Sequence, residues 1–177
     1  AEQERVYLDE LLPALNEESI RLTAGEDLGK KSQEYLRDWF NARVFGMLTP
    51  LAVDPGHPFP FIKNRTLNLA VHLLPESAPQ DFEPLLAVVQ VPTEILPRFV
   101  DVPTSGEGLT VVFVEDLVRS HVHTLFPGMR ILDCVPFRLI RNWDLAIDED
   151  EQEDLLETVQ KELRSRWRLD PVVLEVG

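Results

Sequence analysis

The chain has 177 residues, 44% of them hydrophobic and 27% charged, and its 31 acids against 17 bases give a net charge of −14. That length suits one domain, or one domain with a helical appendage, and needs no staples to fold. The balance opposes nucleic acid as a partner, no apolar run is long enough for a membrane-spanning helix, and the single Cys134 excludes an internal disulfide and fits a reducing, cytoplasmic setting.

The start, AEQERVYLDELL, is acidic and amphipathic, unlike a signal peptide, and the missing initial Met suggests a piece of something longer. Leu8, Leu11, Leu12 and Leu15 predict a helix over 3–16, with Pro13 kinking or shortening it. A short strand is expected at 20–23. The polar, Gly-containing stretch 24–31 is the best boundary, so 1–27 read as a helical appendage with linker and 28–177 as the main domain. Ser32 then reads as the N-cap of a helix with Leu36, Trp39, Phe40 and Arg43 on one face. The apolar stretch 44–53 suggests a strand ending near Pro50. Residues 54–60, with Pro55, Pro58 and Pro60, must be irregular, because each proline fixes its own φ and pushes its predecessor to an extended conformation.

Alternation predicts a strand at 66–74, and 85–91, closed by Pro92, reads as a second strand, with a loop over 76–84 between them. A further strand is expected at 97–102, then a turn at Gly106-Glu107-Gly108, then a strand at 109–114. The period switches over 115–125, where Leu117, Val118, His121, Val122 and Leu125 form one helical stripe that Pro127-Gly128 ends. Strands at 135–141 and 172–176 flank a long helix over 149–167, with Leu155, Leu156, Val159, Leu163 and Trp167 facing inward. Clustered strands with irregularly inserted helices indicate the α+β class, a mixed sheet with packed helices.

Candidate chemistry is sparse. His121 and His123 are two apart, so on one helix they point some 200° from each other, unlike an i, i+4 metal pair. His121 lies on the apolar stripe, and His72 on a strand has no partner in the pattern. Nothing local activates Cys134, so a buried structural thiol is expected. The acidic run 148–154 lacks the glycine and spacing of a calcium loop and suits a helix start. Neither a glycine-rich phosphate loop nor a nucleophile elbow occurs, so no catalytic and no metal-binding residue is assigned. Arg138 and Arg141 on a strand, followed by Asn142 and joined by Arg98, are candidate contacts to a phosphate or to a carboxylate of another domain. The opposing reading is solvated arginines at a strand end.

The motifs YLDELLPALNEESIRL, VFGMLTPLAVDPGHPFPFIKNRTLNLAV, LPRFV, LFPGM and FRLIRNWDLAIDEDE follow one another in this order. Together they resemble the middle, or head, domain of bacterial polyphosphate kinase, preceded by the last helix of its N-terminal domain. Gly46-Met47, Lys63, Arg65 and Trp143 depart from that family's pattern. The resemblance implies a parent enzyme that moves the terminal phosphate of ATP reversibly onto polyphosphate, with Mg²⁺, through a phosphohistidine. That histidine is expected beyond Gly177, and the adenine contacts before Ala1. Neither ATP nor Mg²⁺ is then bound by this segment, which serves as a noncatalytic module joining other domains of the polypeptide in a homo-oligomer. The parent is expected in the cytoplasm, with any membrane association through other parts. His57, Phe59, Phe61, Asn64 and Asn68 become candidate domain or subunit contacts, since a proline-fixed loop loses little freedom on docking. A plain crossover packed on its own sheet remains the other reading of that loop. The alternative for the whole chain is a stand-alone binding or scaffold domain of the same fold.

Overall fold

The structure, a computed structural model, describes residues 2–53, 60–79, 81–104, 106–141 and 171–176. The expected helix over 149–167, the acidic run 148–154 and the irregular block 54–59 lie outside the described residues.

Helix α1 (Glu2–Val6) passes through one wide turn (Tyr7–Leu11) into α2 (Leu12–Glu17). Pro13 has no N–H, and its ring would strike the carbonyl four residues back, so the helix widens instead of breaking. In that turn the Leu12 N–H reaches Tyr7 O. The leucine stripe divides: Leu12 and Leu15 are half-buried, whereas Leu8 and Leu11 are exposed.

Helix α3 (Lys30–Arg43) starts at Gly29, and Ser32 lies inside its first turn. The predicted Ser32 cap is therefore corrected: Gly29 supplies the extended residue, and the Ser32 hydroxyl donates to Pro103 O at 3.1 Å. Leu36 and Phe40 enter the core, Trp39 is half-buried, and Arg43 lies over the Trp39 ring at 5.9 Å. The strand expected before Pro50 is also corrected. Phe45–Met47 form a single 3₁₀ turn, and the strand begins at Pro50.

The α+β class with mixed pairing is borne out, with the strands divided between two sheets. The first sheet joins β1 (Ile20–Leu22), β6 (Leu109–Phe113) and β5 (Phe99–Asp101) in the order β1-β6-β5, β1 parallel and β5 antiparallel to β6. The second is antiparallel, in the order β2-β4-β3-β7-β8, from β2 (Pro50–Val53), β3 (Asn68–Pro75), β4 (Leu85–Gln90), β7 (Met129–Arg141) and β8 (Pro171–Val176). Strand β7 starts six residues before its predicted position and shifts register opposite His72 and Leu73. Leu69, Val71, Leu73, Ala87 and Val89 share one sheet face, as period-2 alternation requires. They form one core with Leu36 and Phe40 of α3, with Val44 just past its end, and with Leu117 and Val118 of α4 (Val114–His121). A 3₁₀ turn (Val122–Leu125) and Gly128 at φ 76° then send the chain into β7.

A candidate contact and anion site at the end of the five-stranded sheet

Pro60 to Leu67 cross from the proline block into β3, and the turn they form is clamped to the end of β7. Thr66 N–H reaches back to Lys63 O at 3.4 Å, and the Thr66 hydroxyl donates to the same oxygen at 2.9 Å. Behind it, the Asn68 side-chain amide donates to Thr66 O at 2.8 Å and to the Thr66 hydroxyl at 3.1 Å. Across to β7, Arg65 N–H donates to Leu139 O at 2.8 Å, and Arg141 N–H donates to the Asn64 side-chain oxygen at 2.9 Å. The Arg141 guanidinium donates to Ile62 O through Nη2 at 2.9 Å and Nε at 3.3 Å. It also lies over the Phe61 ring at 5.0 Å. Arg65 holds a left-handed backbone, φ 60°, which is unusual outside glycine and is imposed by this network.

The sequence-predicted residues thus sort clearly. Phe61, Asn64 and Arg141 meet at one corner with Asn68 behind the turn, Arg138 lies three residues earlier on β7, and His57, Phe59 and Asn142 lie outside the described residues. Phe61 is 49% exposed and presents its outer face to solvent. Asn68, expected at a contact, is instead buried at 2% exposure and holds the turn from behind, so its amide cannot reach a partner. Asn64 likewise spends its carbonyl oxygen on β7. Arg138 sits opposite Glu175 of β8.

Arg98 belongs to the other sheet. Its Nη2 pairs with Glu115 Oε1 at 2.9 Å, and its guanidinium lies 5.5 Å from the Phe113 ring centre. Glu115 is buried, and its second oxygen has no partner. Arg98 therefore compensates a buried carboxylate, a role nothing in its local sequence announced. Lys63 and Arg65 were visible only as basic departures after FPFI; their place on a clamped turn depends on contacts with residues more than seventy positions away.

The remaining nucleophiles are unprepared for chemistry. Burial raises the Cys134 thiol to about 11, opposed by the Arg119 charge and reinforced by Asp133, so it is protonated at neutral pH. His121 stacks on Phe40 with ring centres 4.7 Å apart, and its Nδ1–H donates to Leu117 O at 3.0 Å. Its expected divergence from His123 does not hold. The chain tightens into the 3₁₀ turn after α4, and the two rings stack 6.5 Å apart. Among the described residues no group of three or more His, Cys, Asp or Glu converges to hold a metal ion. No helix among them is long and apolar enough to cross a membrane.

Comparison with known proteins places this geometry in a family. Residues 31–177 match the family model described as the polyphosphate kinase middle domain. A polyphosphate kinase of Mycobacterium marinum is 44% identical over 181 residues, covering 98% of this chain and 24% of its own length. One from Mycobacterium leprae is 40% identical over 186 residues, with the same two coverages. The crystal structure of polyphosphate kinase from Porphyromonas gingivalis superposes with a TM-score of 0.69 at 31% identity, covering 76% of this chain and 22% of that one.

Proposed function

We propose a function from one premise: the chain belongs to the polyphosphate kinase family, as its middle domain. It spans 24% of the length of the curated relatives quoted above while 98% of its own residues align with them. That observation carries the reading. The chain is the head segment of an enzyme that transfers the terminal phosphate of ATP to polyphosphate, and it shapes and joins that enzyme without doing its chemistry. The phosphate-carrying histidine, and the groups that hold ATP and Mg²⁺, belong to other parts of the polypeptide. Among the described residues no group of three or more His, Cys, Asp or Glu converges to hold Mg²⁺, so no step is routed through the ion here.

The division at residues 27 and 28 follows the same logic. The family match begins at Lys31, and Val6, Leu8 and Leu11 on the first helix are 40%, 52% and 49% exposed. Exposed apolar side chains of this kind suit contact with a neighbouring domain. Phe61, braced by Arg141, is a second contact anchor, because an aromatic in a fixed frame docks with little loss of freedom. The parent is a cytoplasmic homo-oligomer in this reading.

The decisive experiment incubates the 177-residue chain with radiolabelled ATP and Mg²⁺ and measures both polyphosphate and acid-labile protein phosphate. No polyphosphate above background and no label on His57, His72, His121 or His123 is expected. The polypeptide that contains this segment should show both polymer and label. Turnover or phosphohistidine in the isolated chain overturns the noncatalytic assignment.

A further inference from the structure

Where the N-terminal appendage meets the three-stranded sheet lies a cleft of about 420 Å³. That is an ordinary size for a small-molecule site, and such sites favour junctions of this kind. Its walls come from three places: Ser19 and Arg21 around the start of β1, Leu28 just before α3, and Thr104, Glu107 and Thr110 from the β5–β6 connection. The walls are fixed to one another. Leu109 N–H donates to Ser19 O at 2.8 Å, and Ser19 N–H donates to Asn16 O at 3.0 Å. On the other side the Ser32 hydroxyl holds Pro103 O at 3.1 Å. Ser19 itself takes a left-handed backbone, φ 60°, at the meeting point.

Thr110 points to a ligand. It is 8% exposed, and among the described residues its hydroxyl makes no hydrogen bond. Unlike the second oxygen of Glu115, this hydroxyl is not sealed from solvent, so it opens onto the cleft that Thr110 lines. A hydroxyl so placed has lost most of its water and keeps one direction open for a partner. Arg21 pairs with Thr110 in the β1–β6 register, so the two side chains leave the sheet on the same face. Arg21 and Glu107 are exposed, and neither enters an ion pair among the described residues.

We propose that this cleft binds a small zwitterion of the amino-acid class. Arg21 takes the carboxylate, the Thr110 hydroxyl donates to the same group, and Glu107 takes the ammonium. A polyanion would meet Glu107 as well as Arg21, and a neutral sugar would leave both charges unanswered. Leu28 supplies the apolar wall. The proposal goes beyond the kinase reading and does not depend on it, since no bond is made or broken. Occupancy fastens the appendage to the main domain, because the walls belong to both sides of residues 27 and 28.

The test titrates the full chain with glycine, L-alanine, L-serine, β-alanine and γ-aminobutyrate and follows the backbone amide resonances of Ser19, Arg21, Glu107 and Thr110. At least one of these zwitterions should shift all four resonances saturably. Its amide and N-acetyl derivatives, each lacking one charge, should bind about tenfold more weakly. Arg21→Gln should weaken the zwitterion about tenfold and leave the amide derivative unchanged, and Glu107→Gln should do the same with the N-acetyl derivative unchanged. Thr110→Val keeps the shape of the side chain. It should weaken binding while leaving the urea midpoint of the free chain unchanged or higher, because no bond within the fold is lost. Absence of a saturable shift with all five compounds, binding unaltered by both charge variants, or equal binding of uncharged glycerol would each overturn the site. A urea midpoint lowered by Thr110→Val would overturn it too, by showing that the fold already uses this hydroxyl.

Discussion

His121 shows how one side chain can serve packing while remaining titratable. Its ring covers Phe40, which is wholly buried, and so joins α4 to α3. Burial is the main force holding its pKa below the ordinary histidine value. His123 and Arg37 push the same way, and the bond to Leu117 opposes them. The neutral ring is thus preferred in the fold, and the unfolded chain takes up a proton more readily. Stability from this residue is complete above the unfolded value near 6.5, falls as pH drops through it, and levels off below the depressed folded value. His121→Phe should keep the stack and abolish that component. The urea midpoint of the wild type should therefore fall more between pH 8 and pH 5.5 than that of the variant. Equal falls in the two proteins would show that His121 titrates alike folded and unfolded.

The elements were legible where a local period decides them. Strand β3 was found by alternation, β4 and β6 as short apolar runs, and α4 by its stripe of Leu117, Val118 and Val122. Two boundaries failed because a neighbour outweighed local preference. Ser32 has the chemistry of a cap, but Gly29 already supplies the extended residue before α3, leaving the hydroxyl to bond Pro103 O. The His121 and His123 rings come together because the helix ends between them, which a uniform 100° step cannot foresee. Pairing between sheets was illegible for a different reason: β1 lies parallel to β6 across almost ninety residues, and nothing in Ile20–Leu22 names that partner. Its anchor is nevertheless a single glycine. Gly108 ends the β5–β6 turn at φ 100°, next to Ser19, whose carbonyl accepts the Leu109 N–H at 2.8 Å. A Cβ on Gly108 would strike that carbonyl oxygen and come within 2.8 Å of Ser19 Cβ. Gly108→Ala should therefore lose about 2–4 kcal/mol, combining backbone strain with overpacking. Chemical denaturation reads the loss directly, and a change below about 1 kcal/mol would mean that β1 is not seated on this turn.

At the scale of the molecule, the five-stranded sheet has two unlike edges. Strand β2 starts at Pro50, which offers no N–H, and leads into the proline block, so that edge resists pairing with another chain. Among the described residues strand β8 has no such device beyond Pro171 and the single charge of Glu175. Val172, Leu174 and Val176 are 59%, 60% and 62% exposed, and Val173 is 45% exposed. The Phe61–Arg141 corner lies at the end of β7, which pairs with this edge, and its residues were legible singly, although their contact required the β3–β7 register. Burying four such side chains only in part would yield a few kcal/mol, at roughly 1.5–3 kcal/mol for each one fully buried. Association costs at least about 4 kcal/mol in lost freedom, and mutual repulsion of two chains each at −14 adds to that. The two sides nearly balance, so the isolated chain should associate weakly and reversibly, and more strongly as salt screens the repulsion. Leu174→Lys places a charge on the open edge and should shift the sedimentation profile to monomer at every salt concentration. A wild type that stays monomeric in high salt, or a Leu174→Lys variant that associates as readily, would show that this edge is closed to other chains.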